Sequence, residues 1–168
     1  MAAYPLHLQD WQTLLSVQAE AAATLTGLVF VAVSINLAKI IAFPGLPSRA
    51  AESILQFLQV FFICTVALIP HQAAVAVAGE ILFISLFSWV MQLVAQVRYA
   101  RSNTGHPKLW LIIRVLQTQL ASIPFFVAVV CIFLERRAGL YWLVPAFIFS
   151  FVAGVANAWV LLVEVVRD

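Results

Sequence analysis

The stretch Tyr141–Glu164, YWLVPAFIFSFVAGVANAWVLLVE, decides the fold, because it carries no charged residue before its final glutamate. An α-helix rises about 1.5 Å per residue, so roughly 20 apolar residues cross the hydrocarbon core of a bilayer, which is about 30 Å thick. This stretch is long enough and almost wholly apolar. It predicts a transmembrane helix over about residues 139–166.

Four further segments on its N-terminal side show the same character, at about residues 9–42, 49–69, 73–97 and 108–134. The FPGLP run, Pro70 and Pro107 separate them, as residues that interrupt or begin helices do. The chain has 168 residues, of which 64% are hydrophobic and 10% charged, whereas soluble domains have about 25% charged residues. We therefore expect an all-α polytopic transmembrane bundle of about five spans, forming one domain over residues 1–168.

Some local features of these helices can be predicted as well. The first segment is longer than a span requires, so its first turns should protrude or lie at the interface. Ser48 is a plausible N-cap for the second helix. Pro124 and Pro145 lie inside apolar runs and could kink the fourth and fifth helices.

The positions of lysine and arginine predict the orientation. Cytoplasmic loops are enriched in these residues, and an odd number of spans places the termini on opposite sides. With the N-terminus outside, Arg136 and Arg137 lie outside and the other basic residues lie on the cytoplasmic side. Those are Lys39, Arg49, Arg98, Arg101, Lys108, Arg114 and Arg167. The C-terminus is thus expected in the cytoplasm.

Polar residues inside the spans are informative because they are costly in hydrocarbon. With this orientation, polar stripes of five helices converge on the cytoplasmic half of the bilayer, which predicts a polar network or a water-filled vestibule there. Hydrogen bonds that only hold helices together are the alternative. Arg114 needs a carboxylate partner, and Glu164 is favoured over Glu52. The predicted network comprises Asn36, Glu52, Gln56, Gln59, Gln92, Gln96, Arg114, Gln117, Asn157 and Glu164.

A second set of polar residues suggests an ion path. Glu20, Thr24 and Ser34 follow one stripe of the first helix, and Glu80 lies in the outer half of the third. Carboxylates at a pore mouth are a common cation filter. A subunit this small has little room for a private pore, so such a path would lie on the axis of a homo-oligomer. For Glu20 the alternative is a carboxylate at headgroup level, and for Glu80 a hydrogen bond to a neighbouring helix.

Several function classes find no support in the sequence. His7, His71 and His106 fall in loops or at ends, no HExxH motif is present, and the two aspartates lie near the termini. Intramembrane proteolysis needs such groups within the spans. The loops are too short for a soluble catalytic domain, and the net charge of +2 gives no nucleic-acid footprint. We expect no enzyme, no metal site and no cofactor.

Three stretches resemble a family of small, largely uncharacterised bacterial multi-pass membrane proteins, some of them loosely labelled modulators of a membrane AAA protease. They are Ala21–Leu37 (AAATLTGLVFVAVSINL), Leu46–Glu52 (LPSRAAE) and Tyr141–Glu164. The likeness covers most of the chain and includes no catalytic motif. It implies residence in the bacterial inner (cytoplasmic) membrane.

Two functions are compatible with these features. The first is an oligomeric ion channel or small transporter with a pore or vestibule lined by polar stripes. The alternative is a non-conducting regulatory protein that binds a membrane partner, such as a membrane protease, through faces of small residues. A receptor for a small lipid or cofactor in the cytoplasmic half is a third possibility.

Overall fold

The computed structural model describes residues 8–43, 45–102, 108–134 and 137–166, and every regular element in these ranges is helical. The α-helices are α1 (Gln12–Ile35), α2 (Leu37–Ala42), α3 (Leu46–Ala67), α4 (Ala74–Ser102), α5 (Lys108–Phe133) and α6 (Leu143–Val166). Short 3-10 helices at Leu8–Trp11 and Arg137–Trp142 precede α1 and α6.

Five of these helices are long and apolar enough to cross a membrane. They are α1, α3, α4, α5 and α6, with mean hydropathies between 1.6 and 2.2 over their most apolar windows. The prediction of an all-α chain with five membrane-spanning helices is thereby confirmed, and the chain is compatible with an integral membrane protein.

Helices α3 to α6 form a closed four-helix ring, and α1 lies outside it. Each of the four packs against the next, and α6 returns to pack against α3. Successive helices joined by short connections run antiparallel. The first helix packs mainly on α3, so 11% of its most apolar window is buried, against 56% for α3. Thus α3 is the central helix and α1 is peripheral.

Two apolar clusters occupy different levels of the bundle. The larger cluster lies around the C-terminal end of α3, and it includes Ile63, Phe125 and Phe147. The smaller one, at the level where α3 begins, comprises Ile40, Leu46, Ala50 and Leu161. Dispersion and close packing hold both clusters together, as in any helical membrane protein. The section between them contains most of the buried polar side chains.

The long first helix of the sequence prediction is divided in two. At Asn36 the backbone leaves helical geometry (φ −106°, ψ 17°), and its side-chain amide donates to the carbonyl of Ala32 at 3.0 Å. That carbonyl is also the normal acceptor for the backbone N–H of residue 36, so the side chain competes for a helical acceptor at the break. The break leaves α1 with 24 residues, about 36 Å, which suits a single span.

One prediction about helix ends was wrong. Gly45, not Ser48, is the N-cap of α3; its φ of 98° is a conformation that glycine adopts without strain, and the Ser48 hydroxyl donates back to its carbonyl at 2.8 Å. Pro145 lies in the first turn of α6, where a proline removes no helical hydrogen bond, so the hydrogen-bond pattern gives no reason for a kink there. Pro124 does lie inside α5.

Candidate functional site

A buried ion pair connects the two helices that lie diagonally in the ring, α3 and α5. The guanidinium of Arg114 donates through Nε and Nη2 to the two carboxylate oxygens of Glu52, each at 2.8 Å. The side chains are 2% and 1% exposed. Two parallel hydrogen bonds give this pair both strength and a fixed orientation. The sequence analysis favoured Glu164 as the partner of Arg114, and that preference was wrong; the side chain of Glu164 lies outside the described ones.

Further contacts hold the guanidinium in place. Nη2 of Arg114 also donates to the hydroxyl of Ser48 at 2.8 Å, and its Cζ lies 4.8 Å from the ring centroid of Tyr99. A guanidinium over an aromatic face is attracted by the ring quadrupole. Nη1 is buried and has no hydrogen-bond partner. Three helices, α3, α4 and α5, thus contribute to one closed assembly around Arg114.

Polar contacts between neighbouring helices fix their register. Gln56 on α3 donates to Gln92 on α4 at 2.7 Å, and Gln96 donates to Thr118 on α5 at 2.6 Å. On the side of α6, the hydroxyl of Ser53 donates to the carbonyl of Gly154 at 2.8 Å. Two weaker contacts agree with this alignment: Gln117 donates to the carbonyl of Ala153 at 3.0 Å, and Arg49 to Asn157 at 3.5 Å.

This register places polar side chains of all four ring helices at one level. Gln92 lies one turn before Gln96 on α4, and Ser122 lies one turn after Thr118 on α5. Because α4 and α5 run antiparallel, both residues lie on the same side of the Gln96–Thr118 contact along the bundle. Ser150 likewise precedes Gly154 by one turn on α6, which brings it level with Gln56. We call these four residues, together with Gln59 one turn beyond Gln56 on α3, the polar layer: Gln56, Gln59, Gln92, Ser122 and Ser150. Each of its members is at most 1% exposed.

The polar layer contains hydrogen-bonding atoms that the protein leaves without partners. Both amide atoms of Gln59, Oε1 of Gln56, Nε2 of Gln92 and the hydroxyls of Ser122 and Ser150 are buried and unpaired. Gln96 Oε1, one turn from Gln92 on α4, and Ser85 Oγ, two turns from Gln92 in the other direction, are in the same state. A buried unpaired group costs about 1–3 kcal/mol, so such groups in native proteins normally bind water or a ligand.

The polar layer is closed on two sides along the bundle. Toward the end of α3, the larger apolar cluster fills the ring, with Phe125 and Phe147 in contact at a centroid distance of 5.9 Å. Toward the start of α3, the Arg114–Glu52 pair lies about one turn from Gln56. The polar layer therefore lies between an apolar cluster and a buried ion pair.

The remaining predicted residues lie away from this site. Glu20, Thr24 and Ser34 are exposed on α1, and the two hydroxyls donate to carbonyls of their own helix. Asn36 binds within its own helix, as described above. Glu80 is half-buried on α4 and accepts a hydrogen bond from Gln72 at 2.8 Å. The structure therefore does not bring Glu80 together with the α1 stripe inside one subunit.

Some residues of the assembly escaped the sequence analysis. Ser48 and Ser53 belong to the same stripe of α3 as Glu52 and Gln56, and Tyr99 follows Gln92 by seven residues on the buried face of α4. Helical periodicity extended by one turn would have found them. Their residue types, two serines and a tyrosine, did not by themselves indicate a site around Arg114.

Among the described residues, no group of three His, Cys, Asp or Glu side chains could hold a metal ion. No protein-family model, curated protein or solved structure matches the chain. The resemblance to small bacterial multi-pass proteins therefore stays a prediction, and the functional argument rests on the geometry of the polar layer.

Proposed function

We propose that this protein is a small membrane transporter that binds a polar solute in the polar layer. The observation that carries the proposal is the set of unpaired buried atoms that all four ring helices contribute within about one turn of each other. Polar groups within a membrane span are costly, and they commonly mark the pathway of a solute. A solute bound in the polar layer would lie near the middle of the spans, where many transporters bind their substrates.

A purely structural role for these groups accounts for only part of them. The Gln56–Gln92 and Gln96–Thr118 contacts are the kind of interhelical hydrogen bond that holds spans together. A structural network would also pair Gln59, Ser122 and Ser150, which lie within the same layer. Their lack of partners favours a site that is filled by something other than protein.

Flux into proteoliposomes tests the proposal. Purified protein is reconstituted, and the influx of glycerol and urea is followed by stopped-flow light scattering, with sodium and potassium flux followed by a voltage-sensitive dye. We expect at least one of these solutes to enter faster than into protein-free liposomes, and Gln59→Leu to remove the difference. Gln18→Leu is the matched control, because Gln18 is half-buried on α1 and lies outside the polar layer. Rates equal to those of protein-free liposomes for every solute would overturn the proposal.

A second function, a non-conducting partner of another membrane protein, is favoured by a different observation. The exposed face of α1 carries Glu20, Thr24 and Ser34 where a monomer would meet lipid. Polar and small residues on a span surface promote helix association, and the same face would lie at the axis if the protein formed an oligomeric channel. Crosslinkers attached at positions 24 and 34 in native membranes distinguish these arrangements. An oligomer would give crosslinks between two copies of this chain, whereas a regulator would give crosslinks to a different protein.

A further inference from the structure

We infer that the ligand of the polar layer is a small uncharged molecule that both donates and accepts hydrogen bonds, of the polyol or amide class. The inference rests on the proposed function in taking this layer as the place where the solute binds. It adds the chemical class of the solute and excludes inorganic ions.

The unpaired atoms of the layer supply donors and acceptors together. Gln59 offers a whole primary amide, and the Gln56–Gln92 pair leaves one carbonyl oxygen and one amide nitrogen free. Exchanging the oxygen and nitrogen of both paired amides leaves the same two kinds of group free, so this conclusion does not depend on their assignment. The hydroxyls of Ser122 and Ser150 can act either way. A solute with both kinds of group satisfies such a site, whereas a bare ion satisfies only half of it.

The charges around the layer also disfavour ions. The layer itself has no ionisable side chain, and the nearest charges, those of Glu52 and Arg114, neutralise each other through two hydrogen bonds. A cation in the layer would therefore meet no free carboxylate and would lie near a guanidinium, which repels it in a medium of low dielectric constant. An anion would meet a guanidinium that already holds a carboxylate through Nε and Nη2, so only Nη1 is left to donate and the net charge of the pair is zero.

Two further carboxylates with described side chains, Glu80 and Glu20, lie too far away to change this. Glu80 precedes Gln92 by twelve residues on α4, about 18 Å along the helix axis. Glu20 is on the exposed face of α1, outside the four-helix ring. Neither can neutralise a cation held between Gln59 and Ser150.

The test measures binding and flux separately, so that failure of the inference and failure of the transport function are distinguishable. In detergent micelles, saturation-transfer NMR reports contact of the protein with acetamide and glycerol, and the relaxation of ²³Na and ³⁵Cl reports contact with ions. Each measurement is repeated on Gln59→Leu and on the control Gln18→Leu. If Gln59→Leu does not fold, the double variant Ser122→Ala/Ser150→Ala replaces it, with Ser34→Ala as its control.

We expect saturation transfer to acetamide or glycerol that the layer variants weaken roughly three- to tenfold, as loss of one or two neutral hydrogen bonds implies, and that the controls leave unchanged. Sodium and chloride relaxation should be the same in all forms. Ion relaxation that depends on Gln59, or transfer to the neutral probes that no layer variant changes, would overturn the inference. Neutral-probe binding without any flux would retain the inference about the ligand and overturn only transport.

Discussion

At the scale of single residues, the Arg114–Glu52 pair explains how two charges persist inside a bundle this apolar. Each charge satisfies the other through two hydrogen bonds of 2.8 Å, while Ser48 and Tyr99 hold the guanidinium in place. A buried ion pair contributes little net stability compared with an apolar pair of the same size, yet removing one partner leaves a charge that nothing compensates.

Arg114→Met should therefore lower the free energy of unfolding by about 3–5 kcal/mol, because Glu52 would stay buried and unpaired. The double variant Arg114→Met/Glu52→Leu should lose clearly less than the two single variants together. SDS-induced unfolding in dodecyl maltoside micelles measures these energies, and Arg98→Met, at an exposed position of α4, is the control. Additive losses from the two single variants would show that the residues do not interact.

Gly154 provides a second prediction at this scale. A Cβ at this position would lie 2.5 Å and 2.6 Å from carbons of the Phe57 ring, which is fully buried, whereas a Cβ at Gly27 would meet nothing within 4 Å. Gly154→Ala should cost about 1–3 kcal/mol, since the core must shift to accept the methyl group. Gly27→Ala should be neutral or slightly stabilising. Equal effects of the two substitutions in the same unfolding assay would refute the close α3–α6 packing.

Part of the candidate site could be predicted from the sequence, because depth and helical periodicity together place Gln56 and Gln92 close in depth and Arg114 about one turn away. The partner of Arg114 could not, because Glu52 and Glu164 lie at similar depth and only the packing of α5 against its neighbours decides between them. Which amides remain unpaired was also beyond the sequence. Gln56 and Gln59 differ by one turn, yet one pairs with Gln92 and the other does not.

At the scale of helices, individual residues near the helix ends determine where α1 ends and α3 begins, and hydropathy alone did not predict these positions. The side chain of Asn36 divides one long apolar run into α1 and α2, and Gly45 starts α3 earlier than Ser48 would have. Hydropathy placed α5 well, because Pro107 and the charged Lys108 mark its start. For the third predicted helix, which corresponds to α4, hydropathy predicted an end at residue 97. The helix continues to Ser102 through residues of mixed polarity.

Pro124 is the feature of α5 most relevant to a change of state. It lies half a turn beyond Ser122 and leaves the carbonyl of Leu120 without its helical N–H donor, which makes this the weakest point of the helix. Pro124→Ala should raise the free energy of unfolding, by at most about 3 kcal/mol, and slow solute flux if α5 bends here during transport. Pro145→Ala, in the first turn of α6, should change neither quantity. If Pro124→Ala left both stability and flux unchanged, bending of α5 at this proline would not be part of transport.

At the scale of the whole molecule, the four-helix ring with a peripheral α1 assigns different roles to different polar stripes. The stripes of α3 to α6 meet inside the subunit, whereas the stripe of α1 faces outward. Hydropathy and periodicity cannot separate these cases, because an inward and an outward polar stripe have the same pattern in sequence. Only the packing order of the helices distinguishes a site within one subunit from a surface between subunits.

The orientation across the membrane is a prediction at this scale. The excess of arginine and lysine predicts the connection between α4 and α5 in the cytoplasm and the connection between α3 and α4 outside. In a Cys64→Ala/Cys131→Ala background, a membrane-impermeant maleimide should label Ala73→Cys from outside spheroplasts and Arg101→Cys only in inverted vesicles. Both positions are exposed. The reverse labelling pattern would invert the topology and place the Arg114–Glu52 pair on the outer side.

The most direct test of the central claim, that the polar layer is a site for a non-protein molecule, is a high-resolution cryo-electron microscopy structure of the protein in lipid nanodiscs. We predict non-protein density, of water or a small solute, within hydrogen-bonding distance of Gln59, Ser122 and Ser150. Side chains that pair completely with one another, with no density between them, would contradict it and make the layer a structural element of the bundle.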